Sequence, residues 1–338
     1  MSNRSVPTLE DVAREAKVST ATVSRCLNLP NQVTARTRER VMEAVARLGY
    51  SPNFGARVLA AKRTNTIGAI IPTMENAIFA RGLQAFQEGL REHGATLLVA
   101  SFSYQAELEA EQIRTLMARG ADGLLLIGHA RDAQVAEFLR LQKVPVLVAW
   151  VYDPERDTPS IGFDNREAMA AMAREVLRLG HRRIGVISAP RAANDRARAR
   201  VEGIGDAVRE TGGAEVTRVI ETPYGIEEGA RAFAEMMTGG TRPTAVMCGN
   251  DVLAVGAMKA ARAAGLRVPE DVSITGFDDI ELATVTDPGI ATVHVPHRRM
   301  GREAADMIVR MVEGGADLGS VELATELRLR GSLGKAGG

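Results

Sequence analysis

The stretch Thr8-Leu-Glu-Asp-Val-Ala-Arg-Glu-Ala-Lys-Val-Ser-Thr-Ala-Thr-Val-Ser-Arg-Cys-Leu-Asn28, with the block that follows it to Leu48, decides how this chain is read. Leu9, Val12, Ala13 and Ala16 fall at i, i+3, i+4 and i+7, which is one face of a helix. Thr8 stands before that face with Glu10 and Asp11 in the first turn, the chemistry of a helix N-terminus. Lys17-Val18 predicts a short turn, after which Ser19 can cap a second helix carrying Val23 and Leu27 inward. Thr20, Ala21, Thr22, Ser24, Arg25 and Asn28 are left outward. They are small, polar or basic, with no acid among them, and suit phosphates and base edges in a major groove. A third helix is predicted from near Thr34, burying Val41, Ala44, Val45 and Leu48 and stopping at Gly49. Two short helices, a tight turn and a supporting third helix describe a helix-turn-helix unit. Periodicity alone fits a small helical subdomain with a solvated polar face equally well.

Charge also bears on this. The chain of 338 residues has no net formal charge, yet residues 1–63 hold 11 Lys or Arg against 5 Asp or Glu, a net of +6. The remainder holds 31 bases against 37 acids, a net of −6. A basic head on an acidic body is the electrostatic pattern of nucleic-acid binding confined to one end. The length accommodates two or three domains, and 45% hydrophobic with 25% charged residues describes a soluble globular chain. No apolar run approaches the ~18 residues of a membrane span, and residues 1–7 lack the apolar region of a secretory signal. A cytoplasmic protein without membrane contact is expected. Cys26 and Cys248 have neither CxxC spacing nor a second pair, so each is read as a small buried apolar residue.

After the head, Pro52 breaks the preceding helix and Asn53 can cap a helix of barely two turns through Ala61, too short to be stable in water without a partner. An ordinary linker is the other reading of residues 51–64. From Thr66 the chain alternates strand and helix. Buried strands are predicted at 66–72, 95–100, 123–127, 144–149 and 160–162, and again at 183–188, 216–221, 245–249 and 272–277. Two successive rounds of parallel-sheet units predict two doubly wound lobes. Residues 292–296 read as a crossover back, 299–313 as a helix, 320–330 as a last strand, and 331–338 as a flexible tail.

The wording Asp11-Val-Ala-Arg-Glu-Ala-Lys-Val-Ser-Thr-Ala-Thr-Val-Ser-Arg25, with Thr37-Arg-Glu-Arg-Val41 and Gly49-Tyr-Ser-Pro-Asn53, closely resembles the LacI/GalR family of bacterial repressors. Looser motifs extend the likeness over nearly the whole chain. The resemblance implies an all-α helix-turn-helix DNA-binding domain at residues 1–50, a hinge helix and linker at 51–64, and a two-lobed effector-binding core at 65–330. That α/β core is periplasmic-binding-protein-like. Lobe one comprises 65–162 and 292–326, lobe two 163–291 and 327–330. The resemblance also implies that the hinge orders on the minor groove, where Leu59 wedges between base pairs, with Asn53, Ala56 and Arg57 beside it. DNA contacts are expected from Thr8, Ser19, Thr20, Ala21, Thr22, Ser24, Arg25, Asn28 and Thr34. Residues 331–338 are too few for a tetramerisation helix, so a homodimer on a pseudo-palindromic operator is expected.

Ligands of open α/β sheets bind beyond the carboxyl ends of the strands. Trp150, Tyr224, Asn250 and Asp278 follow predicted strands there, and Arg200 opens a helix in an Arg-x-x-Gly pattern with Gly203. The resemblance implies that Arg200, Asn250 and Asp278 hold an effector. Asn76 and Phe79 stand where relatives carry an Asn-Pro-Phe-Phe run, which here reads Asn76-Ala-Ile-Phe79. Asp251 and Asp279 are read as capping or interlobe residues. No P-loop, nucleophile elbow or complete dinucleotide loop occurs, so neither catalysis nor a cofactor is expected. His294 and His297 are three apart on a strand end, where zinc would need further ligands that the neighbouring sequence does not supply. His93, His129 and His181 read as surface or loop residues. The expected protein is a ligand-responsive DNA-binding repressor whose inducer is a monosaccharide or a sugar acid such as an aldonate, and whose cleft closes on that ligand. An activator or dual regulator, and more remotely a transport solute-binding protein, are the alternatives.

Overall fold

A computed structural model describes residues 6–51, 63–75, 77–315 and 318–337. The chain forms two compact units, Met1–Thr64 and Asn65–Gly338.

In the first unit, α1 (Leu9–Glu15), α2 (Thr20–Asn28) and α3 (Ala35–Leu48) each begin at a hydroxyl. Thr8 makes a reciprocal capping box, its Oγ1 accepting from Asp11 N at 3.3 Å while its own N–H donates to Asp11 Oδ2 at 2.9 Å. Ser19 and Thr34 accept from the backbone N–H of Thr22 and Thr37. Lys17 turns the chain between α1 and α2 at φ 52°, and Gly49 ends α3 in the left-handed region at φ 64°. Val12, Ala13, Ala16, Val23, Cys26, Val41 and Ala44 form the core. Val45, Leu48 and Leu27 pack at its margin. A 3-10 turn, Pro30–Gln32, joins α2 to α3.

The second unit holds two three-layered lobes. In lobe one, β1 (Thr66–Ile71), β2 (Thr96–Ser101), β3 (Gly123–Ile127), β4 (Val146–Ala149), β5 (Ser160–Gly162) and β11 (Val321–Glu322) form a parallel sheet in the order β11-β5-β4-β3-β1-β2. Alternation along β1 sends Ile67, Ala69 and Ile71 to one core, with Phe86, Leu90, Met300 and Ile308, and Ile70 to another, with Ile113, Leu116, Val135 and Leu139. In lobe two, β6 (Arg183–Ser188), β7 (Glu215–Glu221), β8 (Ala245–Cys248) and β9 (Ser273–Thr275) run parallel in the order β7-β6-β8-β9. Helices Asn165–Arg178 and Asp195–Thr211 cover one face, and Ile226–Met237 and Asp251–Ala263 the other. The helices approach closely where a glycine lets them. A Cβ on Gly301 would collide with the Gly82 carbonyl, and one on Gly203 with the Arg166 carbonyl.

Two expectations are corrected. Residues 320–330 are not one strand: β11 joins lobe one, and β12 (Glu326–Arg328) pairs antiparallel with β10 (Thr292–His294). Leu323, buried between them, donates its N–H to Gly162 O at 2.6 Å. Residues 331–337 are not a loose tail either. The fully buried Ser332 hydroxyl accepts from Ala291 N at 2.8 Å and donates to Ile274 O at 2.6 Å. Further along, Gly334 O meets the buried His181 Nε2 at 3.1 Å, and Ala336 N donates to Leu179 O at 3.0 Å. His181 is therefore a loop residue, as expected, but one buried by packing and not at the surface.

Candidate functional site

The first unit presents one face of α2. Thr20, Ala21 and Arg25 are exposed there, with Thr22 and Ser24 half-buried, while Val23 and Cys26 point into the core. The Thr22 hydroxyl is already engaged by Ser19 Oγ at 2.9 Å. Thr8, Ser19 and Thr34 are caps in this structure, so their side-chain oxygens are committed to helix starts whose free N–H groups suit phosphates. The side chain of Asn28 and the candidates Asn53, Ala56, Arg57, Leu59 and Asn76 lie outside the described residues.

In the second unit, the carboxyl ends of both sheets converge on a cleft. Its wider part, about 420 Å³, is lined by Thr73, Ser103 and Tyr104 of lobe one and Ala189, Asn194, Pro223 and Tyr224 of lobe two. Below lies a pocket of only about 20 Å³, bounded by Phe79, Tyr104, Trp150, Arg196, Arg200, Tyr224 and Asp278.

Arg200 is 6% exposed and held from three sides. Its Nε donates to Asn165 Oδ1 at 2.9 Å and Nη1 to Gly249 O at 2.6 Å, while the guanidinium carbon sits 3.7 Å from the Phe277 ring centre. Nη2 points toward Asp278 Oδ1, 3.9 Å away. Asp278 follows β9 with φ 101° and is 1% exposed. Neither of its oxygens has a hydrogen-bond partner among the described residues. Burial pushes its carboxyl up to about 6, against the pull of Arg200 and Arg196. At neutral pH it is an ionised acceptor with nothing donating to it.

Other buried polar groups of the second unit are also unpaired among the described residues. Asn250 caps the helix Asp251–Ala263 through Oδ1, which accepts from Leu253 N at 2.9 Å, and its buried Nδ2 has no partner among the described residues. Trp150 (φ 63°, 2% exposed) meets Phe79 edge-on with ring centres 5.3 Å apart. Its Nε1 has no partner among the described residues. Trp150 therefore offers a buried N–H to the pocket, and Phe79 packs in the lobe-one core. Tyr224 faces Tyr104 across the cleft, ring centres 5.9 Å apart.

Asp251 and Asp279 are structural. Asp251 accepts from Thr292 Oγ1 at 2.6 Å and Ile280 N at 2.8 Å, and burial followed by the neighbouring Asp278 push it up to about 8. Asp279 pairs with His294 Nδ1 at 2.9 Å and Arg330 Nη2 at 2.6 Å.

Several site residues were missed by the sequence reading. His297 is the first residue of the helix His297–Val312, not a strand residue, and is 3% exposed with Nε2 3.9 Å from Asp278 Oδ1. Burial lowers it to about 3, against the upward pull of the Asp278 backbone, so it is a neutral imidazole. His294 turns instead to Asp279, so the two histidines do not form a pair. Among the described residues no group of three or more His, Cys, Asp or Glu is placed to hold a metal ion. Asn165 spans the lobes, donating to Trp150 O at 3.0 Å while accepting from Arg200. Tyr104 follows the end of β2 and could have been found by the strand-end rule that picked out Trp150.

Comparison with known proteins agrees with both units. Residues 8–53 match the family described as bacterial regulatory proteins, lacI family. Residues 64–326 match periplasmic binding proteins and sugar binding domain of LacI family. The chain is 33% identical over 329 residues to the HTH-type transcriptional repressor CytR of Escherichia coli (strain K12), covering 96% of each. It is 32% identical over 311 residues to the ribose operon repressor of Haemophilus influenzae, covering 90% of this chain and 92% of that one. Among solved structures, a lac repressor dimer bound to operator and the anti-inducer ONPF superposes with a TM-score of 0.86 at 29% identity, covering 98% of this chain and all of that one. A CelR–cellobiose complex superposes with a TM-score of 0.72 at 29% identity, covering 96% and 99% of the two chains. No helix among the described residues is long and apolar enough to cross a membrane.

Proposed function

We infer, because the chain belongs to the LacI family of bacterial regulatory proteins and is a DNA-binding transcriptional repressor of that type, that a neutral sugar seated on Asp278 and Arg200 is its effector. One observation carries the reading: a fully buried carboxylate with no donor among the described residues, lining one pocket with Trp150, whose Nε1 is also unpaired, and 3.9 Å from His297 Nε2. Burying polar groups without partners is costly, and ligand hydroxyls, which both donate and accept, would complete this set. A sugar acid fits less well. Two arms of Arg200 are already committed, and an incoming carboxylate would meet the charge of Asp278.

The protein acts in the cytoplasm as a homodimer, its two α2 helices reading half-sites of a pseudo-palindromic operator, with Leu59 of the hinge as the minor-groove wedge. The sugar is an inducer that favours the lobe arrangement in which the heads release DNA. Trp150 is the single tryptophan, so its fluorescence reports on the site directly. Titration with D-ribose, D-glucose, D-galactose and D-gluconate should give a saturable change with a neutral sugar, lost in Asp278→Asn. If gluconate alone responds, the sugar-acid reading replaces this one; if none responds, the effector is not in these classes.

A further inference from the structure

The helix Asp195–Thr211 belongs to lobe two, yet its first two side chains are spent on lobe one. Asp195 Oδ2 accepts from the backbone N–H of His129 at 2.5 Å and of Ala130 at 3.2 Å. Arg196 Nη1 donates to Ile127 O at 3.1 Å and to Asp195 Oδ1 at 2.9 Å. Both side chains are largely buried, so these are charge-assisted bonds with limited solvent screening. The lobe-one segment is shaped to receive them. Gly128 has φ 69°, and a Cβ there would collide with the Arg196 guanidinium. Two other ties join the lobes: the buried Asn165 Nδ2 to Trp150 O at 3.0 Å, close to the crossover after Gly162, and Arg81 Nη2 to Glu281 Oε1 at 2.8 Å, which is solvent-exposed and contributes little.

With these contacts made, the pocket above Asp278 measures about 20 Å³. That is room for about one water, whereas small-molecule sites usually span roughly 300–1,000 Å³. The floor over Arg200 and Asp278 is therefore too narrow for a sugar ring in this lobe arrangement, while the wider part of the cleft, which shares Tyr104, Asn194 and Tyr224 with it, adjoins it. We propose that Asp195 and Arg196 form a clasp between the lobes that must release before a ligand reaches the floor of the cleft. This rests on the effector reading above and adds a step before the expected closure: the lobes part to admit the ligand. The clasp also lowers ligand affinity by the fraction of time it is released.

The test needs no effector. Cys26 and Cys248 are buried, so Glu111→Cys and Ala234→Cys, both exposed, allow labelling of the two lobes for single-molecule energy transfer on the full chain. In parallel, acrylamide, a small neutral quencher, measures access to Trp150 at the cleft floor. Asp195→Ala/Arg196→Ala should lengthen the interlobe distance and raise acrylamide quenching severalfold, with cooperative melting retained. Asp195→Asn keeps an acceptor for the lobe-one amides and should return both readings most of the way to wild type. An unchanged distance distribution overturns the clasp, and so does increased quenching without a distance change, which is local loosening. A failure of every sugar to bind would overturn the effector reading while leaving the lobe distances to decide the clasp.

Discussion

The Arg200 guanidinium lies 3.7 Å above the centre of the Phe277 ring and stops 3.9 Å short of Asp278. Its position is set by the protein, through Phe277, Asn165 and Gly249, so the fork is ordered before any ligand arrives. Lysine would keep the charge but lose the stacking and the fork. Arg200→Lys should therefore weaken ligand-driven release of DNA by roughly tenfold or more, the loss of one charged hydrogen bond, at near-normal operator affinity. It should also lower stability by about 1–3 kcal/mol, because Asn165 Oδ1 and Gly249 O are left unpaired. Operator release in gel-shift titrations and a urea melt check the two parts. Full response at the wild-type ligand concentration would place the effector elsewhere.

Asp278 should destabilise the fold at neutral pH. Its folded value of about 6 lies above the ordinary 3.8, so the folded state keeps a proton that the unfolded chain has released. The stability contributed by that protonated form is full below about pH 4 and declines until about pH 6. Asp251, pushed up to about 8, extends the decline toward that pH. Asp278→Asn removes one buried charge without changing shape. It should be more stable than wild type by about 3 kcal/mol at pH 7–8, with the difference vanishing below pH 4. Denaturant midpoints at pH 4, 6 and 8 measure this; a constant offset across that range would contradict it.

Much of this architecture was legible because it is written in local chemistry. Thr8, Ser19 and Thr34 each stand just before a stretch with helical apolar spacing, and each is a cap in the structure. The near-continuous apolar runs of β1 and β3 mark strands buried on both faces. What escaped depends on tertiary partners. Asp195 and Arg196 bind backbone atoms at Ile127, His129 and Ala130, which carry no side-chain signature. His297 acquires its place only because the helix starts there and turns it to Asp278. Residues 331–337 have a loose-looking composition, and their order comes from Ser273, Ile274, Ala291 and His181 far back in the chain.

The head should be sensitive to its caps. Thr8→Ala removes a capping box and Ser19→Ala a single cap, each worth about 1 kcal/mol. In a unit this small that is a large share of total stability. Calorimetry should show the head transition moving down while the core transition stays in place. A shift of both would mean that the two units melt together.

Arg25 is the exposed base on α2 suited to a guanine edge. Arg25→Ala should cost about 1–3 kcal/mol on the specific operator and much less on random duplex. Binding measured on both at one salt concentration decides it. Equal losses would reduce Arg25 to a phosphate contact, with its share of the salt dependence.

The docking of Ser332 and Gly334 onto lobe two has a consequence for synthesis on the ribosome. Lobe one needs residues from either side of lobe two, and lobe two is not hydrogen-bonded to completion until Gly334 and Ala336 emerge. The head, whose core is contiguous from Val12 to Ala44, emerges some 290 residues earlier. At ~5–20 residues per second, a nascent chain carries its DNA-reading element for roughly 15 to 60 s before its sensor is complete. A stalled or truncated chain would therefore present a reader without the device that commands it.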